Sequence, residues 1–402
     1  MSVTVEAAEI VRVAGRGDGV TADGRFVPLA APGDAVTPDG TILPGKHHNP
    51  PQCSHYPECG GCQLQHLDDE SYADFVRDRI TIGLAAQELA IPELMPVHLS
   101  PSHVRRRASL KAERRGRRVL IGFNAGASHR IVDMADCAIL HPALFALIAP
   151  LRQLLGAMLR EKRVANIRMT LADQGVDLLI DGIEADGLAV SEALTDFAVA
   201  HGLARLAIDD GYGPQTRWEP DPVTVTLGGV AVPLPHDNFL QATADGEAAL
   251  VAAVKDAVGD APTAADLFSG LGTFALALAG TRKIYAAEAA RDAAGALKAA
   301  AGRAQRPVFV EHRDLYRRPL TTAELDRFGA IVLDPPRSGA EEQVKALAAA
   351  KVPRIAYVSC NPATFARDAR ILVAGGYRLV RITAVGQFRW STHVELAAAF
   401  EQ

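Results

Sequence analysis

Hydrophobic positions change their period three times along this chain. Up to about residue 46, short alternating runs (Val3 to Val13, Arg25 to Leu29, Ala35-Val36) are separated by Gly15, Gly17, Gly19, Gly24 and Pro32-Gly33-Asp34. That pattern predicts a small β-barrel with tight turns. From Asp68 to Leu89 the period lengthens to that of a helix, with Tyr72, Phe75, Val76 and Ile80 on one stripe. Between 143 and about 235, a helix (Leu144 to Leu159), strands (Ile167 to Leu171, Val176 to Ile180), a second helix (Gly187 to His201) and further strands predict an α+β unit. From 236 onward, strand-like runs (Ala264 to Phe268, Ile284 to Ala287, Val308 to Val310, Ala330 to Leu333, Arg354 to Val358) alternate with helical ones (Phe274 to Leu278, Asp292 to Ala301, Glu341 to Ala350, Thr364 to Ala374). Such alternation marks a doubly wound parallel sheet. The expected architecture is α/β in three parts, 1–46, 47–235 and 236–402.

Length agrees with several parts, because 402 residues exceed what one hydrophobic core fills. With 49% hydrophobic and 22% charged residues, the chain lies far from the composition of disorder. Lys and Arg number 42 against 47 Asp and Glu, a net charge of −5, which excludes a uniformly basic coat. Charge is uneven, however: Arg105, Arg106, Arg107, Lys111, Arg114, Arg115, Arg117 and Arg118 face a single acid, Glu113. This run is either an RNA-facing surface or an ordinary solvated hairpin. Apolar stretches such as Phe145 to Leu155 are broken by Pro150 and Arg152, short of the roughly 20 residues a bilayer span needs. Met1 to Glu6 has neither the basic start nor the apolar middle of a secretory signal, so a cytoplasmic location without membrane association is expected.

Five cysteines cannot all pair, and in a reducing compartment they suit metal binding or catalysis. Cys53, Cys59 and Cys62 share a loop with Pro57, Gly60 and Gly61, and Cys137 follows at a distance. Four thiolates suit zinc or an iron-sulfur cluster. Three ligands in one loop with the fourth remote departs from the two short-spaced pairs usual for zinc, and leans toward a 4Fe-4S cluster.

The remaining cysteine, Cys360, ends the fifth strand of the C-terminal part in Val358-Ser359-Cys360-Asn361-Pro362, just before a helix whose N-terminus would favour thiolate. That placement suits a nucleophile. Asp266-Leu267-Phe268-Ser269-Gly270-Leu271-Gly272-Thr273 reads as strand end, glycine turn and helix start, where backbone approaches a nucleotide-like ligand. Glu288 is placed for a ribose diol and Asp314 for an adenine amine. Asp334-Pro335-Pro336-Arg337 is a rigid, donor-poor turn presenting one carboxylate. Glu395, in His393-Val394-Glu395, is placed as a base at the same edge. A nicotinamide-dependent oxidoreductase would use the glycine turn and Glu288, but leaves Cys360 and Asp334-Pro335-Pro336 without a task. A non-catalytic RNA-binding iron-sulfur protein would use only the barrel, the basic run and the cysteine loop.

At these motifs the chain resembles the bacterial RNA uridine-5-methyltransferase family, along essentially its whole length. Asp334-Pro-Pro-Arg-Ser-Gly, Val358-Ser-Cys-Asn-Pro-Ala-Thr-Phe-Ala-Arg-Asp and His393-Val-Glu occur in the family's order and spacing, with Phe239-Leu-Gln241 before the glycine loop. The resemblance implies a Rossmann-like class I methyltransferase domain, an N-terminal TRAM-like barrel, and S-adenosylmethionine as methyl donor. It implies Cys360 as nucleophile and Glu395 as base, with Gln241, Phe268, Gly270, Gly272, Thr273, Glu288, Asp314 and Asp334 around cofactor and target base. Cys53, Cys59, Cys62 and Cys137 match the 4Fe-4S ligands of the ribosomal-RNA branch, which the transfer-RNA branch typically lacks; this implies 23S ribosomal RNA as partner, with transfer RNA as the alternative substrate, and no obligate protein partner. Gly386-Gln387-Phe388 stands where the family commonly carries Asp-x-Phe, and the barrel segment is short for a TRAM domain.

Overall fold

The computed structural model describes residues 7–280 and 282–402. The start of the first alternating run, Val3 to Glu6, and the N-terminal segment read for a signal lie outside the described residues. Five short antiparallel strands follow in the order Phe26–Val27, Gly19–Thr21, Ala8–Val13, Ala35–Val36, Ile42–Leu43, around a small core of Ile10, Ala30 and Val36. Buried Asp34 ties this sheet to the next segment, accepting from the N–H groups of Ala31 and Gly45 and pairing with His48 at 2.7 Å.

The central sheet has six strands in the order Pro214–Trp218, Arg205–Asp209, Gly175–Asp181, Val164–Ala172, Arg107–Arg115, Arg118–Gly122. All neighbours are antiparallel except Gly175–Asp181 with Arg205–Asp209, a parallel pair joined through the helix Leu188–Ala200. The single helix expected from Leu144 to Leu159 is two, Pro142–Phe145 and Ile148–Met158. Pro150 is the cause: it has no N–H for a continuing ladder and is tolerated only in a first turn, which is where the restarted helix puts it.

The C-terminal sheet positions the chemistry. Its strands are β1 (Thr263–Leu267), β2 (Lys283–Glu288), β3 (Val308–His312), β4 (Ala330–Leu333), β5 (Arg354–Ser359), β6 (Arg378–Gly386) and β7 (Glu395–Glu401), in the order β3-β2-β1-β4-β5-β7-β6. The first five run parallel as expected. The sheet is nonetheless mixed rather than wholly parallel, because β7 inserts antiparallel between β5 and β6. Helices Ala244–Val258, Thr273–Leu278 and Arg291–Arg303 cover one face, and Asp69–Ala85, Glu341–Ala348 and Pro362–Ala374 the other. Near-continuous Ala, Ile, Leu and Val in β1, β4 and β5 follows from burial on both faces.

Residues 69–99, placed by sequence with the central part, join the C-terminal sheet. Asp68 caps Asp69–Ala85 by accepting from the Ser71 N–H at 2.8 Å, and the stripe Tyr72, Phe75, Val76, Ile80 packs in one core with Tyr357, Phe365 and Phe400. Glu93–Leu94 and His98–Leu99 then extend the sheet beyond β6. A Cβ on Gly386 would meet Leu99 Cδ2 at 2.8 Å and the Tyr72 hydroxyl at 3.5 Å, so these side chains occupy the room an aspartate would need there.

Candidate active site

β1 lies between β2 and β4, so the chain leaves it in opposite directions, and the carboxyl edge opens into a cleft of roughly 1400 Å³. At its floor, Phe268 takes a positive φ of 66°, costly for a bulky residue and held by two bonds: the N–H groups of Phe268 and Ser269 both donate to Ala287 O. Gly270 follows with φ 53° and open space where a Cβ would stand, so ligand can approach the backbone. Glu288 Oε2 accepts from the Gly270 N–H at 2.8 Å, and its Oε1 from Ala290 at 2.7 Å, which fixes both loop and carboxylate. Fully buried Asp266 accepts from the Ala275 N–H at 2.7 Å, anchoring the helix start, and burial raises its pKa well above the carboxylate range.

Phe268, Gly270, Thr273, Glu288, Asp314 and Asp334 all line the cleft, together with Gln241, Cys360 and Glu395. Gly272 is the exception among the expected residues. Its φ is 92° and a Cβ there would lie 2.3 Å from Leu297 Cδ1, so close helix packing requires glycine there. Asp314 accepts from the N–H groups of Tyr316 and Arg317, turning the chain so that Tyr316 faces Phe268 with ring centroids 5.5 Å apart. Tyr316 and Arg337 are cleft residues that sequence reasoning assigned no role.

Antiparallel insertion of β7 explains how Glu395 reaches Cys360. Ser359, the last residue of β5, pairs with Leu396, so the start of β7 meets the end of β5 at the carboxyl edge. Glu395 is buried, and desolvation followed by the Asp334 charge pushes its pKa up to about 8. Burial alone raises Asp334 to about 7. The expectation that a helix start would favour thiolate at Cys360 is corrected: burial, then Glu395 and Asp334, push this thiol up to about 11, outweighing the pull of Arg337. Free of ligand, Cys360 rests as a thiol beside carboxyls whose pKa values lie in the working range for proton transfer.

Much of the basic run is committed internally, contrary to a simple RNA-facing stripe. Arg105 lies over Phe123 and Phe388. Arg106 pairs with Glu247 at 2.5 Å and donates to Gln241 O, while Arg107 donates to Leu240 O and covers Phe239. Arg106 and Arg107 fasten the Phe239-Leu240-Gln241 segment to the central sheet. Lys111 bonds Asn166 but also lines the cleft, as does Arg16 from the N-terminal part.

Cys53, Cys59, Cys62 and Cys137 line a second, small cavity. Gly60 is required there, since a Cβ would meet Asn124 O at 2.7 Å, and a Cβ on Gly61 would lie tightly against the Phe123 ring at 3.3 Å. No three of these sulfurs lie within 4.8 Å of one another. The thiols are raised by burial, Cys53 to about 11 and Cys62 to about 12.

The solved tRNA (uracil-54, C5)-methyltransferase of Pyrococcus abyssi, in complex with S-adenosyl-L-homocysteine, superposes with a TM-score of 0.76 over 99% of this chain and 100% of that one, at 22% identity. The two chains thus share one α/β fold. An uncharacterised RNA methyltransferase of Zymomonas mobilis is 52% identical over 392 residues, 98% of this chain and 99% of that one. The 23S rRNA (uracil(1939)-C(5))-methyltransferase RlmD of Shewanella piezotolerans is 32% identical over 369 residues, 87% and 81% of the two chains. Residues 308–402 match the tRNA (Uracil-5-)-methyltransferase family. The chain belongs to the RNA (uracil-5-)-methyltransferase family and is an S-adenosylmethionine-dependent enzyme of that kind.

Proposed function

We propose that this enzyme methylates carbon 5 of a uridine in 23S ribosomal RNA through a covalent bond between Cys360 and the base. The observation that carries the mechanism is the meeting of Cys360, Asp334 and Glu395 at one strand edge beside the Gly270 loop. The substrate rests on the RlmD relative, and the cysteine cavity supports the same choice.

S-adenosylmethionine supplies an electrophilic methyl on a sulfonium. Gly270, Glu288 and Asp314 bind its nucleoside portion, and Phe268 its base. Carbon 5 of uracil is too weak a nucleophile unaided. Cys360 gives its proton to a neighbouring carboxylate, its sulfur bonds carbon 6, and the ring's electron pair moves to oxygen 4 as an enolate. The enolate pair returns through carbon 5 to bond the methyl, oxygen 4 regains its carbonyl, and the methyl–sulfur bonding pair stays with the donor, which leaves as S-adenosylhomocysteine. Glu395 removes the carbon 5 proton, the pair re-forms the ring double bond, and the sulfur of Cys360 leaves. The uridine must be unstacked to reach the cleft, at roughly a few kcal/mol, so a loop or single-stranded target is expected. Cys53, Cys59, Cys62 and Cys137 would hold a 4Fe-4S cluster, and the five-stranded N-terminal sheet, read as a TRAM-like barrel, would contact RNA.

RNA carrying 5-fluorouridine tests the covalent step, because fluorine cannot leave carbon 5 as a proton does. A protein–RNA adduct stable to denaturing electrophoresis is expected with the natural enzyme and absent in Cys360→Ala. Turnover is also lost in Cys360→Ala and Cys360→Ser; full activity in either contradicts the mechanism.

A further inference from the structure

Gln387 follows β6 and is buried between the Gln241-Ala242 segment and Glu395. It is packed tightly: a Cβ on Gly246, in the first turn of Ala244–Val258, would come 2.7 Å from Gln387 Cβ. The N–H of Ala242 faces one end of the Gln387 carboxamide at 3.0 Å. A backbone N–H can only donate, so that end must be oxygen, and the other end must be the NH2 group. The NH2 donates to Gln241 Oε1 at 2.7 Å. Gln241 therefore has its oxygen committed inward, and its own NH2 is the end left for the cleft it lines. The Gln387 amide also bears on Glu395, favouring its charged form against the effect of burial.

We propose that Gln387 is a positioning residue that locks the Gln241 carboxamide with its NH2 toward the cleft, so that this point of the site selects an oxygen acceptor. An unrestrained carboxamide would turn either end outward and choose poorly between acceptor and donor ligands. Two oxygens suit the position, a uracil carbonyl and the carboxylate of the methyl donor. The proposal rests on the methyltransferase reading, and its test separates the two.

Gln387→Met keeps the volume and removes both hydrogen bonds. Affinity for S-adenosylhomocysteine by calorimetry, and KM and kcat for methylation of unmodified ribosomal RNA, are measured for the full-length enzyme, Gln387→Met, Gln241→Met and the double variant. A loss of about fivefold or more is expected in Gln387→Met. It falls on S-adenosylhomocysteine if Gln241 serves the carboxylate, and on the RNA parameters with that affinity unchanged if it serves the carbonyl. In the Gln241→Met background, Gln387→Met is expected to cost nothing further in S-adenosylhomocysteine affinity or KM, any additional change being confined to kcat through Glu395. Unchanged values in both arms overturn the proposal, as does an equal loss in that affinity or in KM in either background, which would mark Gln387 as packing alone. Failure of the natural enzyme to bind S-adenosylhomocysteine would instead overturn the methyltransferase reading.

Discussion

Glu395 shows what this site costs its protein. An ordinary glutamate titrates at 4.5, and burial beside Asp334 moves this one to about 8. Between those values the folded state keeps a proton that the unfolded chain releases. The stabilising contribution is therefore complete below about pH 4.5 and is lost as pH rises through about 8. Glu395→Gln cannot ionise, so its melting temperature should exceed that of the natural enzyme at pH 7 and converge with it near pH 4.5. The gain at pH 7 is on the order of 3 kcal/mol, with methylation lost. An advantage that fails to shrink as pH falls would show that the carboxyl is not strained. Activity of the natural enzyme should correspondingly rise with pH toward about 8, as the base loses its proton. Residues such as these were legible because short sequence motifs place them at strand ends, where doubly wound sheets hold ligands. Gln387 was not: its partner Gln241 is 146 residues away, and a buried carboxamide carries no local pattern.

At the scale of elements, the cysteine loop and the segment before β7 are one construction. The N–H groups of Gln63 and Leu64 donate to Trp390 O at 2.7 and 2.9 Å, and Thr392 donates to Gln63 Oε1. On the other side of that segment, the Tyr72 hydroxyl donates to Phe388 O at 3.1 Å. Whatever holds Cys53, Cys59 and Cys62 in place thus holds the chain that delivers His393 and Glu395. Cys62→Ala, or removal of the iron-sulfur cluster proposed for these cysteines, should lower kcat while leaving S-adenosylhomocysteine affinity nearly unchanged, because the Gly270 loop lies on β1 and β2. Full turnover in iron-free protein would contradict this coupling. Several elements escaped the periodicity for physical reasons. Glu93–Leu94 and His98–Leu99 are too short to show alternation, and the break at Phe145 falls within an apolar run that reads as one helix until Pro150 is weighed.

The whole molecule converges on one opening. Arg16 from the N-terminal sheet, Gly61 from the cysteine loop, Lys111 from the central sheet and Arg337 from the C-terminal sheet all face the cleft. Composition foretold several parts, and the C-terminal alternation foretold the parallel strands β1 to β5. Their mutual docking was beyond reach, since it depends on contacts such as Arg106 with Glu247 between residues 141 apart. The same contacts show why the arginine run overstated the exposed positive surface. No helix among the described residues is long and apolar enough to cross a membrane. Uridine-5 methylation of 23S ribosomal RNA is tested by nucleoside mass spectrometry of ribosomal and transfer RNA from a strain lacking this chain, mapped by fragment. Loss of 5-methyluridine from one 23S fragment, restored by the natural enzyme but not by Cys360→Ala, is the predicted result; an unchanged 23S pattern, with or without a loss from transfer RNA, would contradict it.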